Sequence, residues 1–228
     1  KTVRSFLYVD DVVKAFEIIL FKGKIGEIYN IGTNEEYSVA SKLSKLRGYE
    51  YLYARNCARK SLSQLFNISE FEIPIISKHK SPPILEKGFG YFSISHCNKF
   101  ILIGWSDYPI GVDIENFTRD IASIKLIKRY FTELKYLLSE TINSDKIKEE
   151  ILINWIVKES SYKCLREKRL SDLLSWEYNK KLSLAYKKDK NTCLNIKIFK
   201  YKIWNYCIAI HKNDQSDNNL IYEQVLYS

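Results

Sequence analysis

A short stretch near the middle of the chain combines two carboxylates with a strand-like pattern. In YPIGVDIE, residues 108–115, every second residue from 110 to 114 is isoleucine or valine, and Asp113 and Glu115 occupy positions between and after them. Because successive side chains of a strand point to opposite faces, the apolar set is expected to be buried while both carboxylates share the other face. The pattern therefore predicts a strand with two acids on one side.

A second stretch, WIVKESSYK, has the spacing of a helix face. Trp155, Glu159 and Lys163 stand at i, i+4 and i+8, which stacks them along one side of a helix. If strand and helix meet, Asp113, Glu115 and Glu159 form a hard-oxygen site suited to Mg²⁺ that also binds a phosphate ligand. Lys163, one turn beyond the third carboxylate, can meet the phosphate charge. The constellation favours phosphoryl-type chemistry.

The two stretches together resemble the paired signature of the 4′-phosphopantetheinyl transferases, specifically the Sfp-like group. GVDIE is followed about forty residues later by WxxKESxxK, and both spacing and residue types fit. Either motif alone is weak, since a DxE on a strand is usually a solvated edge and a KExxxK on a helix is usually a surface ion-pair ladder. The resemblance covers residues 41–212. It implies an α+β fold of two similar α/β halves, each a small antiparallel sheet packed against a long helix.

The resemblance also implies an activity. Such an enzyme, of the holo-[acyl-carrier-protein] synthase type, moves the 4′-phosphopantetheine arm of coenzyme A onto a serine of an acyl or peptidyl carrier protein and is Mg²⁺-dependent. Asp113, Glu115 and Glu159 would hold the metal ion, and Lys163 would lie over the pyrophosphate. Glu159 is then the candidate to take the serine proton.

Three further positions match the family's coenzyme A contacts. Arg55, on a predicted long helix that ends at Phe66, matches an arginine that reaches the 3′-phosphate. Ser95 and His96, in FSISH, match a Ser-His pair that contacts the coenzyme phosphates. Two departures are visible: Ser81 stands where the family has lysine, and Glu167 lies in a turn where the family has glycines.

Composition narrows the class of protein. The 228 residues are 46% hydrophobic, carry a net charge of +9 and lack an apolar run long enough to span a bilayer. The charge implies an anionic partner, for which coenzyme A and an acidic carrier protein suffice; no nucleic-acid motif is present. Five scattered cysteines without CxxC spacing indicate buried, reduced thiols in a cytoplasmic protein. Because no apolar run is long enough to span a bilayer, no membrane partner is expected.

The first forty residues have a different character. Residues 1–40 resemble the late portion of extended short-chain dehydrogenases, notably dTDP-glucose 4,6-dehydratases, but the dinucleotide-binding glycine turn is missing. A segment of this length cannot bury a core of its own, so it is interpreted as a remnant and not as an independent domain. Residues 213–228 are expected to form a C-terminal tail on the surface.

Other readings stay open. A catalytically decayed protein of the transferase fold would bind coenzyme A or a carrier protein without turnover, and the departures at Ser81 and Glu167 favour it. A dehydratase relative would need a cofactor site that the sequence lacks, and a basic binding module would not explain two acidic motifs. The residues do not indicate which carrier protein is used, or the oligomeric state.

Overall fold

The structure is a computed structural model, and it describes residues 20–23, 34–77, 82–98, 100–118, 145–187, 190–211 and 221–226. Ser81 and most of the dehydratase-like segment lie outside these ranges. The chain divides into two compact units, Lys1–Ser81 and Pro82–Ser228. Within the described ranges no helix combines the length and the apolar character needed to cross a membrane.

The first unit is organised by two helices. Helix α1 covers Asn34–Ala40 and helix α2 covers Lys45–Phe66, which confirms the long helix expected to end at Phe66. A 3₁₀ turn at Glu70–Glu72 and a short strand β1 at Ile75–Ile76 follow. Arg59 of α2 ties these parts together, because its guanidinium pairs with Glu36 of α1 at 2.7 Å and donates to the carbonyl of Ile73 at 2.8 Å.

The second unit is built mainly of antiparallel strands around one long helix. Its elements, in chain order, are β2 Ile84–Leu85, β3 Tyr91–Cys97, β4 Phe100–Ser106, β5 Ile110–Asn116, α3 Asp145–Cys164, α4 Leu170–Leu174, β6 Trp176–Asn179, β7 Leu184–Lys187, β8 Lys190–Tyr201, β9 Trp204–Ile210 and β10 Ile221–Leu226. The strand and the helix expected to carry the acidic motifs are thus β5 and α3.

Strands β3 to β10 form two antiparallel sheets. One has the order β10-β4-β3 and the other the order β5-β9-β8-β7-β6. The mixed α and β character with antiparallel pairing agrees with the expected α+β class. The C-terminal segment differs from the expected surface tail, because residues 221–226 pair with β4 from Ile221 opposite Trp105 to Leu226 opposite Phe100. A long-range pairing of this kind supplies the backbone partners that a local sequence pattern cannot reveal.

Helix α3 and strand β5 are packed closely against each other. Buried apolar residues of α3 recur at helical spacing, and they meet the face of the larger sheet that carries Cys207 and Ala209 of β9. Gly111 lies on the same face, opposite Ala209, where a side chain would overlap backbone atoms of Ser160 and Cys164. The opposite face of β5 packs on β4, so both faces of β5 are covered and all seven of its residues are buried.

Candidate active site

The acidic pair of β5 lies beneath helix α3. Asp113 is opposite Cys207 and Glu115 is opposite Asn205 of the neighbouring strand β9. Their exposed fractions are only 5% for Asp113 and 7% for Glu115. Asp113 and Glu115 lie on one face of β5, as the alternation predicts, but helix α3 covers that face. Two ionisable groups at such low exposure require charged or hydrogen-bonding partners.

Lys163 supplies the partner for Asp113. Its Nζ donates to Asp113 Oδ1 at 2.6 Å, to Ser95 Oγ at 3.2 Å and to the Val112 carbonyl at 3.3 Å. The lysine belongs to the last turn of α3, so this contact joins the two stretches that the sequence singled out 50 residues apart. Charge-assisted hydrogen bonds of this length are among the stronger polar interactions in proteins.

The surroundings of Lys163 favour its charged form. Burial acts to lower the pKa of the ammonium group, but the carboxylates of Asp113, Glu159 and Glu115, with the hydrogen bond to Asp113, outweigh it and raise the pKa above its usual 10.5. All three predicted metal-binding acids therefore act electrostatically on this one lysine. Lys163 is a permanent cation of the site at neutral pH.

The site is completed by strand β3, which lies alongside the free edge of β5. Ser95 Oγ donates to Asp113 Oδ1 at 2.7 Å and accepts from the Ile114 amide at 3.3 Å. Ser93 Oγ accepts from the Val112 amide at 3.1 Å. His96, the next residue after Ser95, is exposed, because alternation along the strand points it to the opposite side. The Ser-His pair is thus split between two faces.

Glu115 borders an open pocket at the end of β5. A cavity of about 430 Å³ is lined by Cys97, Asn98, Glu115, Asn116 and Thr118. The Cys97 thiol donates to Glu115 Oε2 at 3.4 Å. Asn116 closes the strand, since its Oδ1 accepts from the amide and the hydroxyl of Thr118.

The carboxylate oxygens of Asp113, Glu115 and Glu159 suit a hard divalent cation, but the three side chains are not arranged around a common point. Asp113 Oδ2 is buried and has no hydrogen-bond partner, so this oxygen is available to a ligand. Carboxylate oxygens are preferred by Mg²⁺. Within the described ranges, however, no three His, Cys, Asp or Glu side chains lie close enough together to hold one metal ion. Asp113, Glu115 and Glu159 therefore do not form the expected three-carboxylate cluster in this structure; all three act electrostatically on Lys163, which binds Asp113 Oδ1.

Arg55 belongs to the first unit. It lies on α2, is buried and has its guanidinium carbon 4.7 Å from the centre of the Tyr51 ring. Its Nε has no hydrogen-bond partner, and burial lowers the pKa of the group. A buried guanidinium with an unused donor is chemically suited to an anion.

Several residues that sequence reasoning did not assign contribute to the second unit. Lys158, buried in α3, donates to the Trp176 carbonyl and anchors the helix to β6. Glu167, one of the departures from the family pattern, accepts from Trp176 Nε1 at 2.8 Å and pairs with Lys187. Glu167 therefore fixes the turn after α3 to Trp176 and Lys187. Ser93 could have been found from the sequence, because it precedes Ser95 by two positions and so shares its face.

Comparison with known proteins identifies the same class of protein as the two motifs that meet at the contact between β5 and α3. Residues 109–210, which contain β5, α3 and the contacts between them, match the family model of the 4′-phosphopantetheinyl transferase superfamily. The chain is 22% identical to the 4′-phosphopantetheinyl transferase gsp of Aneurinibacillus migulanus over 169 residues, which cover 73% of this chain and 70% of that protein. The resemblance to phosphopantetheinyl transferases is confirmed.

The N-terminal resemblance is confirmed as well. The chain is 56% identical over 46 residues to dTDP-D-glucose 4,6-dehydratase of Dictyostelium discoideum, and 60% identical over 43 residues to the human dTDP-D-glucose 4,6-dehydratase. These matches cover 19% of this chain but only 11% and 12% of the two dehydratases.

The cysteines give a test of the packing around the site. All five are free thiols; Cys164, the last residue of α3, and Cys207 of β9 are buried, whereas Cys193 is exposed. Burial raises the pKa of Cys164 to about 12 and raises that of Cys207 as well, so neither forms thiolate at neutral pH. With a thiol-reactive dye we expect Cys193 to be labelled first and these two only after unfolding. Rapid labelling of Cys164 in the folded protein, located by peptide mass spectrometry, would contradict the packing.

Proposed function

We propose that this protein transfers the 4′-phosphopantetheine group from coenzyme A to a serine of an acyl or peptidyl carrier protein. The observation that carries the proposal is the contact of Lys163 with Asp113, because it joins both motifs inside the region that matches the transferase family. Coenzyme A and an acidic carrier protein are anionic, and a chain of net charge +9 is suited to both.

We assign the steps to residues of the second unit. A Mg²⁺ ion, when bound, would spread the negative charge that develops on the pyrophosphate. Asp113, Glu115 and Glu159 would hold it once their side chains rearrange, because in the structure they do not form a three-ligand cluster. The Lys163 ammonium neutralises charge on the departing 3′,5′-ADP, and Glu159, one helical turn away, takes the proton of the attacking serine.

The remaining assignments concern coenzyme A and the limits of the domain. By their places in the sequence motifs, Arg55 in the first unit and, separately, His96 in the second are each proposed as a contact for a coenzyme A phosphate. Remote binding of this kind positions the reacting phosphorus. We further propose that residues 41–212 form the transferase domain of two similar α/β halves, with residues 1–40 as a fused remnant and 213–228 as a C-terminal segment whose residues 221–226 add strand β10 to β4.

A direct assay tests the transfer. The full chain is incubated with fluorescent coenzyme A, Mg²⁺ and an apo carrier protein, and label on the carrier is measured against a reaction with EDTA. Mg²⁺-dependent labelling is the expected result. A folded protein that neither labels the carrier nor binds coenzyme A would refute the proposal.

A second candidate function is a decayed transferase that binds coenzyme A or carrier protein without turnover. It is favoured by the absence, in the described residues, of a three-ligand metal cluster. Coenzyme A binding by calorimetry without any label transfer would identify it.

Removal of the N-terminal segment tests the domain limits. A chain lacking residues 1–40 is expected to retain at least about half of the transfer rate, because none of the residues assigned to the transfer lies in that segment. Circular dichroism of the truncated chain serves as the folding control. Complete loss of transfer in a folded truncation would show that the segment completes the coenzyme A site.

A further inference from the structure

We propose that Ser95 is a positioning residue that fixes Asp113 and Lys163 for transfer, and that it is not the phosphate ligand implied by its place in FSISH. This inference rests on the proposed function and deepens it. It concerns the hydroxyl that links the two motif elements to a third one, strand β3.

The hydrogen-bonding capacity of the Ser95 hydroxyl is already filled. A serine hydroxyl has one hydrogen to donate and two lone pairs to accept with. Ser95 Oγ donates to Asp113 Oδ1 at 2.7 Å, and it accepts from Lys163 Nζ at 3.2 Å and from the Ile114 amide at 3.3 Å. The residue is 5% exposed. A phosphate oxygen would have to displace one of these partners in a buried place, which costs a satisfied hydrogen bond.

The same contacts orient the carboxylate of Asp113. Both Ser95 and Lys163 bind Oδ1, so the carboxylate is held by one oxygen while Oδ2 has no protein partner. A carboxylate fixed in this way offers its second oxygen in a defined direction. Groups held in place before the reaction need no reorganisation when charge develops, and loss of such positioning lowers turnover more than ground-state binding.

The neighbouring residue supports this assignment. His96 is exposed on the side of β3 opposite to Ser95, so the two side chains do not approach one ligand from the same face. His96 can therefore contact coenzyme A phosphates without Ser95. Ser95 and His96, which are neighbours in the FSISH motif, therefore have two separate roles.

Ser93 provides a matched control. It is buried on the same face of the same strand, and its hydroxyl accepts from the Val112 amide as Ser95 accepts from the Ile114 amide. Both serines thus satisfy amides on the free edge of β5. The described contacts of Ser93 do not include Asp113 or Lys163. The difference between Ser95→Ala and Ser93→Ala therefore isolates the contacts to the two motif residues.

The closing experiment compares these variants in the full chain. For Ser95→Ala we expect kcat with the apo carrier to fall about 10- to 100-fold while the Kd for coenzyme A changes less than about threefold. For Ser93→Ala we expect a kcat within about threefold of the unsubstituted protein. Ser95→Cys, which keeps a side chain that fills the site but weakens the hydrogen bonds, should behave like Ser95→Ala and serves if that variant does not fold. A tenfold weaker coenzyme A affinity at unchanged kcat, or equal losses in the Ser93 and Ser95 variants, would overturn the proposal.

An activity-independent measurement separates this inference from the proposed function. Amide hydrogen exchange should accelerate at Ile114 in Ser95→Ala and at Val112 in Ser93→Ala. Acylation of the Lys163 amine by acetic anhydride should accelerate only in Ser95→Ala, because only that serine binds the ammonium. If the unsubstituted protein transfers nothing, the proposed function fails while these readouts still test the role of Ser95. Unchanged Lys163 reactivity in Ser95→Ala would reject it.

Discussion

Replacement of Asp113 by asparagine is expected to lower the transfer rate by at least about 10³-fold, because the substitution removes the negative charge that pairs with Lys163 and that the proposed metal ion requires. Asparagine has nearly the same shape and keeps an oxygen that can accept from Ser95 and Lys163. The change therefore removes the negative charge with little loss of packing. Label transfer to the carrier protein is the measurement.

The same substitution has a pH-dependent effect on stability. In the folded protein the carboxylates raise the pKa of Lys163 above 10.5, so the ion pair contributes stability that is fully present below that pH and is lost as the pH rises through the folded value. Since Lys163 is partly exposed, we expect a loss of only about 1–2 kcal/mol at neutral pH after screening by solvent. In Asp113→Asn the pKa of Lys163 should fall, because burial then has less opposition. Urea unfolding at neutral and strongly alkaline pH measures the difference.

Asp107→Asn is the matched control for this prediction. Asp107 is exposed in the turn before β5 and loses the same charge outside the site. Transfer by this variant should equal that of the unsubstituted chain. A folded Asp113→Asn with normal turnover would remove Asp113 from the catalytic assignment, and with it the main reason to link the acidic strand to phosphoryl transfer.

Replacement of Gly111 by alanine is expected to destabilise the second unit by at least about 3 kcal/mol. The added methyl group would overlap the carbonyl oxygen of Ser160 and the backbone nitrogen of Cys164. Backbone atoms of a helix cannot rotate away as a side chain can, so α3 must move off β5. Because Lys163 lies in that same turn, the displacement also separates it from Asp113 and should abolish transfer.

Gly88→Ala gives the contrast. No atom lies within 4 Å of the position that its methyl group would take, but its φ of 101° is one that residues with a side chain rarely adopt. The expected cost is about 1 kcal/mol from backbone strain alone, without effect on transfer. Thermal unfolding of the two variants distinguishes overlap from strain. A Gly111→Ala protein as stable as Gly88→Ala would show that α3 and β5 are not in the close contact described.

The local pattern of the sequence was sufficient for the elements that carry the site. Alternation from Ile110 to Glu115 identified β5, because the period of two is a property of the strand itself. The spacing of Glu159 and Lys163 identified one face of α3 for the same kind of reason. The residue types at these positions also carried the resemblance to phosphopantetheinyl transferases.

Only the tertiary structure decided how these side chains are used. Ser95 binds Asp113 because β3 lies along the free edge of β5, and residues 221–226 add a strand to β4; both depend on contacts between distant parts of the chain. Lys163 holds Asp113 because α3 crosses β5 at Gly111, a closeness that no local period encodes. The sequence specified which groups are present, and packing specified which of them meet, since long-range contacts depend on the whole core and not on neighbouring residues.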